Sequence, residues 1–287
     1  MTTPTDGVVV VDKPADWTSH DVVARMRRIA GTRRVGHAGT LDPMATGVLV
    51  VGLGRATKLL GYLAAHDKEY DATMRLGVTT TTDDADGEEV ARADDARVTD
   101  DELSQAVARF VGDIDQVPSS VSAIKVEGVR AYKRVRSGED VQLPARRVHV
   151  AELRVLERRG DDIDLHVTCS TGTYVRALAR DIGAALGVGA HLTALRRIRV
   201  GGFTIDEART LDELAADLVV HPLADVAART FPVWGVDEEV ARRLSMGQRL
   251  APEGLPPGAV AAIGPDESLV ALVEERDDAV RPLTVFT

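Results

Sequence analysis

Two unbroken aliphatic runs constrain this chain more than any other feature: "GVVVV" (Gly7 to Val11) and "GVLVV" (Gly47 to Val51). Each has the length of a strand, and neither alternates with polar residues, so both read as buried strands. Strands of this kind need other elements packed against them, which predicts a sheet flanked by helices. Aromatic residues make up only 3% of the chain, so the core must be built from Val, Leu, Ile and Ala. At 287 residues and 44% hydrophobic, one large domain, or one plus a small appendage, is the expected scale.

The remaining elements follow from local signals. Thr18 or Ser19 caps a helix running through Ala30, with Val22, Val23, Met26 and Ile29 on one face and Gly31 as its stop. Ala56 to Leu63 reads as helical, and "KEYDATMRLGV" alternates as a strand. Thr99 and Glu102 form a T-x-x-E capping box for a helix that ends near Gly112. "RVHVAELRVLERRGDDIDLHVTCS" is a hairpin turning at "RGDD"; a capped helix in "STGTYVRALARDIG" and a basic strand in "TALRRIRVGGF" come next. From about Phe231 the texture changes to clustered Pro and Gly with short strand candidates.

Charge is unevenly distributed. The net charge is -10, which by itself argues against a polyanionic partner. Asp83 to Glu102 holds ten acids opposed only by Arg92 and Arg97. Two basic clusters stand against this: Arg25, Arg27, Arg28, Arg33 and Arg34, and a longer one from Lys125 to Arg159. The local potential of one face, not the total charge, governs phosphate binding. No apolar run approaches the roughly 20 residues that span a bilayer, and "MTTPTDG" has no signal-peptide character. A cytoplasmic location is expected.

Several motif-like stretches carry no chemistry. "VLVVGLGRAT" imitates a dinucleotide loop but lacks the third glycine and a following βαβ unit. "TDDADGEE" begins like a calcium loop, yet Ala93 stands where the twelfth-position glutamate belongs. The seven histidines show no paired metal spacing, and the one cysteine, Cys169, excludes a multi-cysteine zinc site. More telling is "GHAGTLDPMATGVLVVGLGRATK", which sets Asp42 alone among small residues with His37 before it and Lys58 after it. A plain turn, a phosphate-cradling loop and a catalytic acid are all compatible with that stretch.

The blocks "GHAGTLDPMATGVL", "GRATK", "DKEYDATMRLG", "TDDADG", "SAIK", "CSTGTYVRALARDIG" and "GAHLTALRR" occur in this order. Together they resemble the TruB-type tRNA pseudouridine synthases, which isomerise uridine 55 in the tRNA T-loop; the resemblance spans Gly7 to Arg199. It implies an α+β fold with a large mixed, mostly antiparallel sheet, flanking helices and a projecting thumb loop. The basic segment "VPSSVSAIKVEGVRAYKRVRSGEDVQLPARR" fits such a thumb, at about 118–147 within a catalytic domain of residues 1–228. Residues 229–287 resemble, more weakly, a small PUA-like RNA-binding module.

By this resemblance Asp42 is the catalytic carboxylate, whether by attack at C1′, addition to C6 or removal of a sugar proton; Arg176 pairs with it, and Tyr70 stacks on the flipped uracil. His37 enters the T-loop, Leu195 packs beside the base, and Asp84 and Tyr174 line the cleft. Lys58, Lys125, Arg130, Lys133, Arg134, Arg196 and Arg197 are candidates for phosphate contacts. Relatives often carry an aromatic residue where this chain has Val121. The isomerisation gains no atoms and changes no oxidation state, so no cofactor or metal is expected. The implied partner is the tRNA T-arm, bound by a monomer without guide RNA. A tRNA-folding role or service as the catalytic subunit of a guide-RNA complex are the alternatives. The glycines around Asp42 would let RNA approach the backbone closely.

Overall fold

A computed structural model describes residues 6–119 and 143–286, together with the backbone of 125–126 and 129–130. The chain begins with β1 (Gly7–Lys13), α1 (Ser19–Ile29), β2 (Val35–Ala38), β3 (Thr46–Leu53) and α2 (Leu60–Ala64). β4 (Lys68–Leu76), the hairpin β5 (Val78–Thr80) and β6 (Glu89–Arg92), α3 (Asp100–Ala108) and β7 (Gly112–Gln116) follow. After β8 (Lys125–Val126) and β9 (Val129–Arg130) come β10 (Arg146–Arg159), β11 (Asp162–Cys169), α4 (Val175–Ala185), β12 (Ala190–Val200) and β13 (Phe203–Thr204). The last part contains α5 (Leu211–Ala216), α6 (Leu223–Thr230), β14 (Val233–Gly235), α7 (Glu238–Ser245), β15 (Val260–Ile263), β16 (Leu269–Arg276) and β17 (Ala279–Val285).

The large sheet has the order β1-β3-β12-β4-β11-β10-β7, with β2 added to β3 and β13 to β12. Its pairings are antiparallel except β3 with β12, which is parallel and brief. The two aliphatic runs pair with each other, Val9 opposite Val51 and Val10 opposite Val50. Alternation sends Val8, Val10, Val48 and Val50 into one apolar cluster and Val9, Val11, Leu49 and Val51 into another on the opposite face. That two-sided burial explains why the runs contain no polar residue. Each buried valine contributes about 1.5–3 kcal/mol of transfer free energy.

β4 and β11 are covered on one face only. Tyr70, Ala72, Met74 and Leu76 share a cluster with Ile163, Leu165, Val167 and Cys169, and α3 and α4 pack onto it. The other face is polar: Arg75 pairs with Asp162 at 2.7 Å and Thr73 donates to Asp164 at 2.8 Å.

The expected caps form. Thr18 and Asp21 make a capping box at α1, and Thr99 and Glu102 make one at α3. α3 ends at Ala108 rather than near Gly112, because Gly112 at φ +91° already opens β7. The "STGTYVR" helix begins at Val175 with no capping bond from the side chain of Tyr174. Gln116 ties that end down instead: the Tyr174 N–H donates to Gln116 Oε1 at 2.8 Å, and Gln116 Nε2 donates to the Tyr174 carbonyl at 3.1 Å. Within the basic segment expected to project, β8 and β9 pair antiparallel, with Lys125 opposite Arg130.

A second sheet, β14-β15-β16-β17, closes the chain. Ala261, Leu269, Leu272 and Phe286 join the cluster that holds Val8 and Val48, so this sheet packs on the large one through apolar side chains. No helix among the described residues is long and apolar enough to cross a membrane.

Candidate active site

Asp42 lies in the loop between β2 and β3, and three neighbours hold that loop still. The Leu41 N–H donates to Ser19 Oγ at 2.9 Å, and the hydroxyl donates back to the Leu41 carbonyl at 3.2 Å. The Asp16 N–H donates to the Pro43 carbonyl at 2.9 Å. Lys13, fully buried at the end of β1, donates its amine to the carbonyls of Pro14, Trp17 and Pro43. Burial pushes the Lys13 amine down to about 8, against the attraction of Asp42 and Asp16.

The loop carries Asp42 to the edge of a cavity of about 240 Å³. Lys68 and Tyr70 from β4, Leu195 and Arg197 from β12, Arg176 from the first turn of α4 and the Ser170–Tyr174 segment form much of the rest of its wall. Arg176 Nε stands 3.0 Å from Asp42 Oδ2, and Nη1 stands 3.1 Å from Asp84 Oδ2. The same Nη1 donates to the Thr82 carbonyl at 2.7 Å. One guanidinium thus bridges two carboxylates in a fixed fork. The Arg176 and Asp84 side chains are 3% and 5% exposed whereas Asp42 is 35% exposed, so Asp42 is the carboxylate presented to a ligand. Asp84 is held in turn by the Thr82 hydroxyl and the Asp86 N–H. Burial, and then the Asp84 charge, push the Asp86 carboxyl up.

Tyr70 is buried in the cavity wall, and burial raises its phenol pKa against the opposing pull of Arg197. Lys68, on the same strand, donates to the Ala64 carbonyl at 2.9 Å and the His66 carbonyl at 2.7 Å. Burial lowers its amine to about 8.

The cavity therefore gathers Asp42, Tyr70, Arg176, Tyr174, Leu195 and Arg197 from four separate stretches, with Asp84 directly behind Arg176. Other candidates lie elsewhere. His37 sits on β2, edge-on to His20 with ring centroids 5.7 Å apart, and burial lowers its pKa. Lys58 is exposed; its amine donates to the Val285 carbonyl at 2.6 Å and lies over the Phe286 ring, so it also fastens the second sheet. Arg196 pairs with Asp12 at 2.8 Å.

Arg197, expected to reach a phosphate, is 1% exposed and donates to the Val48 carbonyl at 2.7 Å and the Gly39 carbonyl at 3.0 Å. It is a wall of the cavity, not a surface cation. Lys125 and Arg130 fall on the paired backbone of β8 and β9, and Val121, Lys133 and Arg134 lie outside the described residues.

Lys13, Ser19, Lys68 and Gln116 were not anticipated as part of the site. For two of them a signal exists: a lysine two residues past an unbroken apolar run, and one that opens an alternating strand on its inward parity. Ser19 and Gln116 act through hydrogen bonds to backbone distant in sequence, which no local pattern encodes.

Matches to known proteins cover the whole arrangement. The model described as TruB family pseudouridylate synthase (N terminal domain) matches residues 27–175. That of the tRNA pseudouridylate synthase B C-terminal domain matches 176–226, and that of tRNA Pseudouridine synthase II, C terminal, matches 231–287. The chain is 56% identical to tRNA pseudouridine synthase B of Thermobifida fusca (strain YX), an alignment that covers 98% of each. It is 57% identical to tRNA pseudouridine synthase B of Streptomyces coelicolor, over 99% of this chain and 98% of that one. A chain of a Cbf5-Nop10-Gar1 complex superposes with a TM-score of 0.78 at 29% identity, over 99% of this chain and 85% of that one. A chain of the archaeal box H/ACA sRNP Nop10-Cbf5 complex gives 0.74 at 28%, over 100% and 93%. With sheet order, cavity and full-length sequence likeness in agreement, the chain belongs to the TruB family of pseudouridylate synthases.

Proposed function

We propose that this chain isomerises uridine to pseudouridine in tRNA, acting on uridine 55 of the T-loop as a stand-alone monomer in the cytoplasm. The observation that carries the reading is the half-open Asp42 carboxylate, bridged by Arg176 to the buried Asp84 at the mouth of a one-base cavity.

The reaction breaks the N1–C1′ bond of uridine and forms C5–C1′; the proton on C5 is lost and N1 gains one. A uridine inside a folded loop is out of reach of a carboxylate, so the nucleotide is extruded into the cavity. Asp42 acts at the ribose, where positive character develops as N1 departs. Arg176 supplies the counter-charge that an anion needs in a site sheltered from water, and Asp84 holds the guanidinium in place. Tyr70 stays a neutral phenol and offers its ring to the uracil, with Leu195 on the cavity wall beside it. His37 and the thumb-like segment 118–147 engage the RNA outside the cavity.

Residues 1–228 constitute the catalytic unit and 229–287 a small PUA-like RNA-binding module, a division supported by the separate sheets that the two stretches build. Assistance with tRNA folding is compatible with the same extrusion step.

The test is pseudouridine formation on a tRNA transcript. Asp42→Asn keeps the side-chain shape and lowers the single-turnover rate by at least about 10³-fold; a variant that retained near-normal conversion would sink the catalytic assignment. A bare T-arm hairpin is converted without added guide RNA. Strict dependence on a guide would favour the alternative suggested by the Cbf5-containing neighbours.

A further inference from the structure

Beside the Asp42 loop, α1 carries an exposed groove that plays no part in the cavity. Trp17 is 37% exposed at the head of the helix. Together with Asp16, Asp21, Ala24, Arg25 and Arg28 it lines a depression of about 320 Å³. The small Ala24 leaves room beside the indole, while Arg25 and Arg28 stand one and two turns along from Asp21 and border the same depression.

The arginine charges here are clustered and, among the described residues, unpaired. Arginines across the rest of the surface commonly sit against carboxylates: Arg75 against Asp162, Arg158 against Asp100, Arg180 against Asp83, Arg199 against Glu69. Arg25, Arg27, Arg28 and Arg33 form no ion pair with a carboxylate among the described residues, although acids outnumber bases in the chain. Asp21, the adjacent acid, is engaged by the Thr18 N–H at 3.0 Å and the Thr18 hydroxyl at 2.6 Å. Unneutralised cations beside an exposed indole match a nucleotide strand, whose phosphates need cations and whose bases need a flat apolar face.

The groove is also continuous with the catalytic loop. The Asp16 N–H holds the Pro43 carbonyl at 2.9 Å, and the Lys13 amine grips the carbonyls of both Trp17 and Pro43. One amine thus ties the backbone at Trp17 to the backbone next to Asp42.

We propose that this groove is a second nucleotide site for the RNA substrate. One base stacks on the Trp17 indole, Arg25 and Arg28 take the adjoining phosphates, and the strand continues toward Arg27 and Arg33. The nucleotide bound is distinct from the one that enters the cavity. The inference rests on the proposed action on tRNA, and its test separates the two.

Binding of a tRNA transcript and of a T-arm hairpin is measured for the wild type, Trp17→Ala, Trp17→Phe and the Arg25→Gln/Arg28→Gln double variant. Trp17→Ala weakens binding about tenfold and Trp17→Phe retains most of the affinity. The double variant lowers the slope of log affinity against log salt by about 1.4, two single-strand phosphates' worth. The single-turnover rate at saturating RNA stays at the wild-type value in all three.

Loss on tRNA alone places the nucleotide outside the T-arm; equal loss on both RNAs places it within; either supports the site. Unchanged affinity for both RNAs in Trp17→Ala and in the double variant overturns it. Should Trp17→Ala fail to fold, Trp17 emission in a Trp234→Phe background decides: saturating tRNA quenches it, and unquenched emission overturns the proposal. Wild-type protein that binds tRNA at the groove yet makes no pseudouridine would overturn the proposed activity and leave the groove standing.

Discussion

An amine buried away from water holds its proton less firmly than an exposed one, and two lysines around the cavity follow this rule. Lys13 and Lys68 are both lowered to about 8, burial being the largest cause in each. For Lys68 the sign of the pH dependence follows. Its folded value lies below the ordinary lysine value of 10.5, so between about pH 8 and 10.5 the unfolded chain binds more protons and stability rises with pH. In urea unfolding, the wild type therefore gains on a Lys68→Met variant by roughly 1–3 kcal/mol between pH 7 and pH 10; parallel profiles would contradict the assignment. Asp42 belongs to the same scale. Its isolation among small residues was visible in the sequence, but its role depends on Arg176, 134 positions later, and Asp84, which only the fold brings within 3.1 Å of one guanidinium.

Among the elements, the parallel contact of β3 with β12 is the join on which the cavity depends. Arg196 lies opposite Thr46 and Arg197 opposite Gly47, and Leu195 and Arg197 of β12 line the cavity. Gly47 adopts φ +96°, and a Cβ there would fall 2.2 Å from the Arg197 carbonyl oxygen. At this position the close approach that requires glycine is to the protein's own backbone, not to RNA. Gly47→Ala combines positive-φ strain with a backbone clash and costs about 3 kcal/mol or more; chemical unfolding within 0.5 kcal/mol of wild type would refute the requirement. Elements with a strong local signal were readable in advance. The capping boxes of α1 and α3, the alternating β4 and the β10–β11 hairpin each satisfy their own backbone or burial pattern within a few residues. The start of α4 was read only in part, because Gln116, 58 residues earlier, supplies what a local cap would.

For the whole molecule, the second sheet is joined to the first by a compact set of contacts. Phe286 is 1% exposed in the cluster that holds Val8 and Val50, Lys58 donates to the Val285 carbonyl, and Arg55 pairs with Asp6 while reaching the Phe286 carbonyl. Phe286→Ala leaves a cavity between the sheets and lowers stability by about 3–5 kcal/mol; a loss below 1 kcal/mol would show that the sheets are energetically independent. The "GRATK" stretch, which as sequence imitated a dinucleotide loop, supplies Arg55 and Lys58 to this join. What the sequence alone determined is the set of parts: two doubly buried strands, capped helices, an α+β class and a family-specific aspartate, because periodicity, caps and short motifs are properties of neighbouring residues. Tertiary structure decided which cations face solvent. Arg196 and Arg197 are adjacent in the chain, yet one pairs with Asp12 at the surface and the other is walled in against the Gly39 and Val48 carbonyls. The free energy of a charge depends on what surrounds it, and those surroundings come from β1, β3 and the Asp42 loop, 149 to 184 positions away.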